Sequence, residues 1–131
     1  MYTKDFDGWN KEKIIIHSRA KKILYPKIRQ VWYIKLGVNI WHEADGKWEY
    51  TRPVLIVKNI GSLYRCIPLT SQDKLDKFHY AICDTQWNWK KSRAMLSQAK
   101  IIDIKRFEEM LGYVSESEFQ KIKKLLKDMY L

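Results

Sequence analysis

A chain of 131 residues, with 46% hydrophobic and 31% charged side chains, has room for one buried core, which excludes two ordinary domains, a disordered tail and a fibrous repeat. No apolar run approaches the roughly 20 residues that cross a bilayer and nothing near the N-terminus resembles a secretory signal, so a cytoplasmic protein with no membrane partner is expected. The formal charge of +10 calls for an anionic partner, and two cysteines, Cys66 and Cys83, are too few for a disulfide scaffold and lack the clustering of a zinc site, so both are expected as reduced, buried thiols.

Residues 1–27 read as an N-terminal helical extension. Asp7-Gly8 is a possible helix start, Trp9, Ile16, Ala20, Ile23 and Leu24 fall near one face, and Pro26 ends the pattern. From Arg29 the period changes to that of strands. Val31 to Leu36 is β-branched and aromatic, and a polar stretch through Asp45-Gly46 follows it as a loop. Thr51 to Val57 reads as a second strand with Pro53 near its start, and Leu63 to Ile67 as a third ended by Pro68; Phe78–Cys83 and Ala99–Ile104 supply two more.

Lys105 to Met110 reads as a short helix closed by Gly112. The last element is a longer helix: Ser115 and Glu118 have capping-box spacing, and Phe119, Ile122, Leu125, Leu126 and Met129 form one apolar stripe. Five short strands joined by loops too short for helical crossovers predict an α+β, mainly β fold. It is a strongly bent antiparallel sheet or small barrel with a helix at each end, and residues 28–131 form its principal domain.

Charge is unevenly placed along the chain. Residues 1–30 and 86–106 each carry a net +5, while 31–85 and 107–131 nearly cancel, so two basic segments are expected to form a phosphate-tracking surface. Glycine-rich phosphate loops, HExxH and serine-elbow motifs are lacking, as is a set of acids spaced for a metal pair, so no cofactor or metal is expected. The remaining chemistry lies at strand ends: His42 and Glu43 in the first loop, Arg52 opening one strand, and Thr70-Ser71 just after another.

The order of these motifs resembles the MazF/PemK (Kid) toxin family. Trp32 to Gly37, His42-Glu43 ahead of Gly46, Arg52-Pro53-Val54-Leu55-Ile56-Val57, Ile67-Pro68-Leu69-Thr70-Ser71 and Leu96 to Asp103 with a terminal helix occur in family order across residues 29–131. The resemblance implies an SH3-like antiparallel barrel over 28–131 that forms a homodimer. It implies a toxin of a type II toxin–antitoxin system, cutting single-stranded RNA at short sequences without a metal and neutralised by a cognate antitoxin.

By the same resemblance Arg52 and Thr70 are the catalytic pair. A planar, permanently charged guanidinium suits the oxygens of a phosphate as charge builds on them, and a hydroxyl can donate to one of them. His42, Glu43 and Ser71 are expected to be catalytic or site-shaping. The Kid branch also uses an arginine and an aspartate from the strand that here reads Met95-Leu96-Ser97, so the arginine-plus-threonine form fits this chain and Arg93 is given no catalytic role. Read from the residues alone, Arg52 could equally pair with Glu49 or Asp45, and Thr70 could cap a strand end. Trp87, Trp89, Lys90 and Lys91 interleave aromatic rings with cations, as an RNA-stacking platform does, although both tryptophans would also suit a core or a dimer interface. A non-catalytic barrel that binds a protein or RNA target is the alternative function.

Overall fold

The computed structural model describes residues 3–20, 23–40, 42–72, 78–82 and 92–130. In chain order the elements are helix α1 (Phe6–Ser18), strands β1 (Gln30–Lys35), β2 (Thr51–Ile60), β3 (Leu63–Thr70), β4 (His79–Ile82), β5 (Ser92–Met95), β6 (Lys100–Asp103) and β7 (Phe107–Tyr113), and helix α2 (Glu116–Tyr130). The described strands make one seven-stranded antiparallel sheet in the order β4-β5-β3-β2-β1-β7, with β6 also on β3. The N-terminal half of β3 pairs with β6 and its C-terminal end with β5. A 3-10 turn at Leu96–Gln98 joins those two strands. One edge of β3 is thus followed by a single bent ribbon that leaves the edge beside Ile67 and Pro68. The sheet is barrel-like without its end strands β4 and β7 pairing to each other, as the mainly β reading with two helices expects.

Alternation along the strands builds a core on each face. Val31, Leu55, Ile67 and Leu69 face Phe119, Ile122 and Leu126 of α2. Their neighbours Trp32, Ile34, Val54, Ile56, Tyr64 and Cys66 enter a second core with Ile102, Ile104 and Phe107. Cys66 is buried in that core, and burial pushes its thiol up to about 12, so it is an inert apolar group. Cys83 lies outside the described residues.

Helix α2 forms for the expected reasons. The Ser115 hydroxyl accepts from the Glu118 N–H at 3.3 Å, and Phe119, Ile122 and Leu126 are buried, while Leu125 sits at the edge of the stripe, 38% exposed. Helix α1 differs from its reading: Asp5, not Asp7, is its cap, accepting from the Gly8 N–H at 2.9 Å. It ends at Ser18, and Ile23 stands 84% exposed rather than on an apolar face. Only Trp9 and Ile16 are buried, against Val38 and Tyr50.

The short helix expected from Lys105 is a strand. A single 3-10 turn at Ile104–Arg106, capped by the Asp103 carboxylate, delivers Phe107 to Tyr113 onto the free edge of β1. Pairing that edge and burying Phe107 outweigh a weak local helical preference. Strand β5 was also absent from the reading. Strand β3 runs past Pro68 to Thr70, because Leu69 and Thr70 pair with Ala94 and Arg93 of β5.

Candidate active site

Arg52 sits near the start of β2, opposite Ile34 of β1, so the sheet fixes where its side chain begins. Backbone carbonyls then fix where it ends. Nε donates to the carbonyl oxygen of Asp45, and Nη1 donates to the carbonyl of Leu69 at 3.0 Å and lies 4.0 Å from the Met95 sulfur. The Asp45 carboxylate turns to the Asn39 N–H at 2.6 Å and to the Lys4 ammonium at 3.3 Å. Carbonyl oxygens fix the direction of the guanidinium without adding a compensating negative charge.

Thr70 closes β3 and is 7% exposed. Its oxygen accepts from the Gln72 N–H at 3.2 Å, so the hydroxyl presents its O–H as a donor. Arg52 and Thr70 line one small cleft of about 180 Å³ together with His42, His79, Ser97 and Gln98. Its described lining includes an arginine, two histidines, a threonine, a serine and two glutamines, and no carboxylate. The field inside favours an anion.

The long loop between β1 and β2 forms one wall. Gln98 clamps it, accepting from the Ala44 N–H at 3.1 Å and donating to the His42 carbonyl at 3.2 Å. Glu43 folds back on its own loop, where its carboxylate accepts from the Ile40 N–H at 2.9 Å. Gly46 is required by close approach, since a Cβ there would lie 1.8 Å from the Tyr50 carbonyl oxygen. At Gly37, with φ +85°, the Trp9 ring of α1 covers the backbone so closely that a Cβ would meet it at 2.0 Å. Tyr50 donates to the Asp5 carboxylate at 2.9 Å. Helix α1 therefore grips the loop whose Asp45 carbonyl holds Arg52.

Of the residues singled out in the sequence, Arg52, Thr70 and His42 meet in the cleft. Glu43 shapes the loop behind His42, and Ser71 is exposed beside Thr70 without lining the cleft. Trp87, Trp89, Lys90 and Lys91 lie outside the described residues. His79, Gln98 and Ser97 were missed. His79 opens a strand, the same strand-end signal that marked Arg52, but nothing in its neighbours says which rim it joins. Among the described residues no three His, Cys, Asp or Glu side chains converge as a metal site would require.

A family model described as PemK-like, MazF-like toxin of type II toxin-antitoxin system matches residues 27–130. Among solved structures, MazF from Deinococcus radiodurans is similar with a TM-score of 0.67 at 16% identity, over 81% of this chain and 96% of that one. An endoribonuclease from a mycobacterial species gives 0.61 at 16% identity, over 82% and 93%. A mycobacterial endoribonuclease in complex with its cognate antitoxin gives 0.62 at 17%, over 79% and 93%. At these identities the likeness is one of fold. No curated protein matches in sequence.

Proposed function

The chain belongs to the PemK-like, MazF-like toxin family of type II toxin–antitoxin systems, and on that premise we propose that it is a sequence-specific endoribonuclease cutting single-stranded RNA without a metal. A cognate antitoxin restrains it, and a cytoplasmic homodimer is its working form. One observation carries the reading: a carbonyl-anchored guanidinium, Arg52, and an oriented hydroxyl, Thr70, share a cleft whose described walls hold no carboxylate.

The chemistry follows from those groups. The ribose 2′-hydroxyl attacks the adjacent phosphorus, forming an O2′–P bond as the P–O5′ bond breaks, so the products are a 2′,3′-cyclic phosphate and a 5′-hydroxyl. Charge on the non-bridging oxygens is met by the planar fork of Arg52 and by the O–H of Thr70. One proton leaves the 2′-hydroxyl and another reaches O5′. His42 and His79 border the cleft, and imidazole nitrogens can accept the one proton and donate the other. Glu43 and Gln98 hold the loop that carries His42, and Ser71 flanks the cleft.

The test is incubation of the protein with long mixed-sequence RNA in excess EDTA, with new 5′ ends mapped by sequencing. Cuts at one short recurring sequence are expected, and Arg52→Ala or Thr70→Ala should each lower kcat by about 10²–10³. Variants as fast as the parent would remove both residues from the site. RNA that is bound but uncut by the parent would favour a barrel that acts by binding alone.

A further inference from the structure

A second, larger groove of about 930 Å³ lies between α2 and strands β2, β3 and β6. Six cations border it: Lys58, Arg65, Lys100, Lys123, Lys124 and Lys127. None of them forms an ion pair with a carboxylate among the described residues. Their placement is unfavourable for the isolated fold. Lys58 and Arg65 are direct cross-strand partners, where like charges repel. Lys123 and Lys127 stand one helical turn apart on α2, with Lys124 beside them, and repel in the same way. These positions become favourable when a polyanion lies among them.

One stretch of chain lines both the cleft and the groove. Met95, Ser97 and Gln98 border the cleft, and the next residues, Ala99, Lys100 and Ile101, border the groove. The Tyr130 hydroxyl donates to the Leu96 carbonyl at 2.6 Å, fastening the end of α2 to this shared segment. Lys100 also feels the charge of Glu43, the neighbour of His42 in the cleft wall. The floor is apolar, with Val57, Ile101 and Leu126 between the cations.

Resting on the endoribonuclease reading, we infer that this groove is a track for single-stranded RNA running out of the cleft, its phosphates against the six cations and its bases over the apolar floor. Single-stranded recognition combines cationic and base-covering surfaces in this way. An acidic peptide would satisfy the same charges, but the segment 95–101 that borders both the groove and the cleft proposed for the scissile phosphate favours the substrate strand.

The experiment uses two RNAs around one mapped cleavage sequence: a short one ending next to it, and a long one extended by about ten nucleotides on each side, enough to span several phosphate contacts. Each is also made with a 2′-deoxy residue at the cut, so that binding is read by anisotropy whether or not cleavage occurs. The variants are Lys123→Gln/Lys124→Gln/Lys127→Gln and, separately, Lys58→Gln/Arg65→Gln. For the long RNA the triple variant should raise KM and Kd by about tenfold or more, with kcat held, and flatten the log–log salt slope by about two. The short RNA should show neither change. Unchanged KM, Kd and salt slope for the long RNA with both variants would overturn the track and leave an acidic protein segment as the occupant. Equal losses on short and long RNA would overturn it too, since the effect would then lie in the cleft or the fold. If the parent cuts neither RNA, the endoribonuclease reading fails by itself. The track is then judged on a long mixed-sequence single strand: weaker binding by the variants supports it, and equal binding overturns it.

Discussion

Helices α1 and α2 meet the same sheet by different means. Helix α2 buries Phe119, Ile122 and Leu126 in a core shared with five strands. Helix α1 buries only Trp9 and Ile16, and leaves Ile14 and Ile15 58% and 59% exposed. Its hold is largely polar: Asp5 to Tyr50, Lys4 to Asp45, Glu12 to Lys35 at 3.6 Å, Arg19 to Glu108 at 3.5 Å, and the His17 carbonyl to Lys105 at 2.9 Å. Apolar burial in a common core makes an element unfold with the whole, whereas exposed polar ties break locally and at lower cost. One helix is thus part of the foundation. The other, lying before the family-matched residues 27–130, is a bracket on the loop that positions Arg52.

The strongest way to break this contrast is to cut into each helix. Ile122→Ala should destabilise the whole protein by about 2–5 kcal/mol, read as a lower denaturation midpoint, whereas Ile15→Ala should stay within about 0.5 kcal/mol of the parent. Trp9→Ala tests the bracket. It should leave most of the global transition in place, raise amide exchange across residues 37–50, and lower kcat by up to about a hundredfold through a misplaced Arg52. A global loss as large as that of Ile122→Ala would make α1 a member of the same cooperative unit and end the distinction.

Smaller effects sharpen it. Lys4→Met removes one tie to Asp45, and cleavage should slow about fivefold at most, in keeping with about 1 kcal/mol or less for a partly exposed pair. The smallest effect is that of acid on the α1 cap. The Gly8 N–H, and after it the Tyr50 O–H, hold the Asp5 carboxyl below its ordinary value of 3.8. Its contribution is complete above that value and is lost as pH falls through the lower folded-state value. Amide protection in α1 should therefore fall in acid while that of α2 persists, and Asp5→Asn, which retains a capping side chain, should remove this dependence.

Helix α2 was legible because its signals are local: a cap at Ser115 and a stripe of 3.6 period lie within a few turns of chain. The alternation of β1 to β3 was legible for the same reason. Helix α1 was read too long: Ile23 and Leu24 have helical spacing, but the helix ends at Ser18, Ile23 stands exposed, and Leu24 packs on the second core from beyond the helix. In the cleft, Arg52, Thr70 and His42 stood out through motif order. The carbonyls of Asp45 and Leu69 that hold Arg52 belong to backbone and leave no mark on residue type.

Charge shows the same limit. Counting along the chain places the excess in residues 1–30 and 86–106, yet Lys4, Arg19 and Arg29 of the first segment pair internally with Asp45, Glu108 and Glu116. The cationic groove draws Lys58, Arg65, Lys123, Lys124 and Lys127 from segments whose sums nearly cancel.

Residue order alone carries the mainly β character, the terminal helix, the alternation that makes two cores, and the motif order that points to Arg52 and Thr70. Each depends on neighbours a few residues apart, where propensity and period act. It took the folded chain to make Phe107 to Tyr113 a strand, to bring His79 to His42 at one cleft, and to turn six cations toward one groove. Those outcomes depend on which distant segments meet. Edge pairing and the convergence of charge are properties of the path of the folded chain, to which a short window of residues is blind.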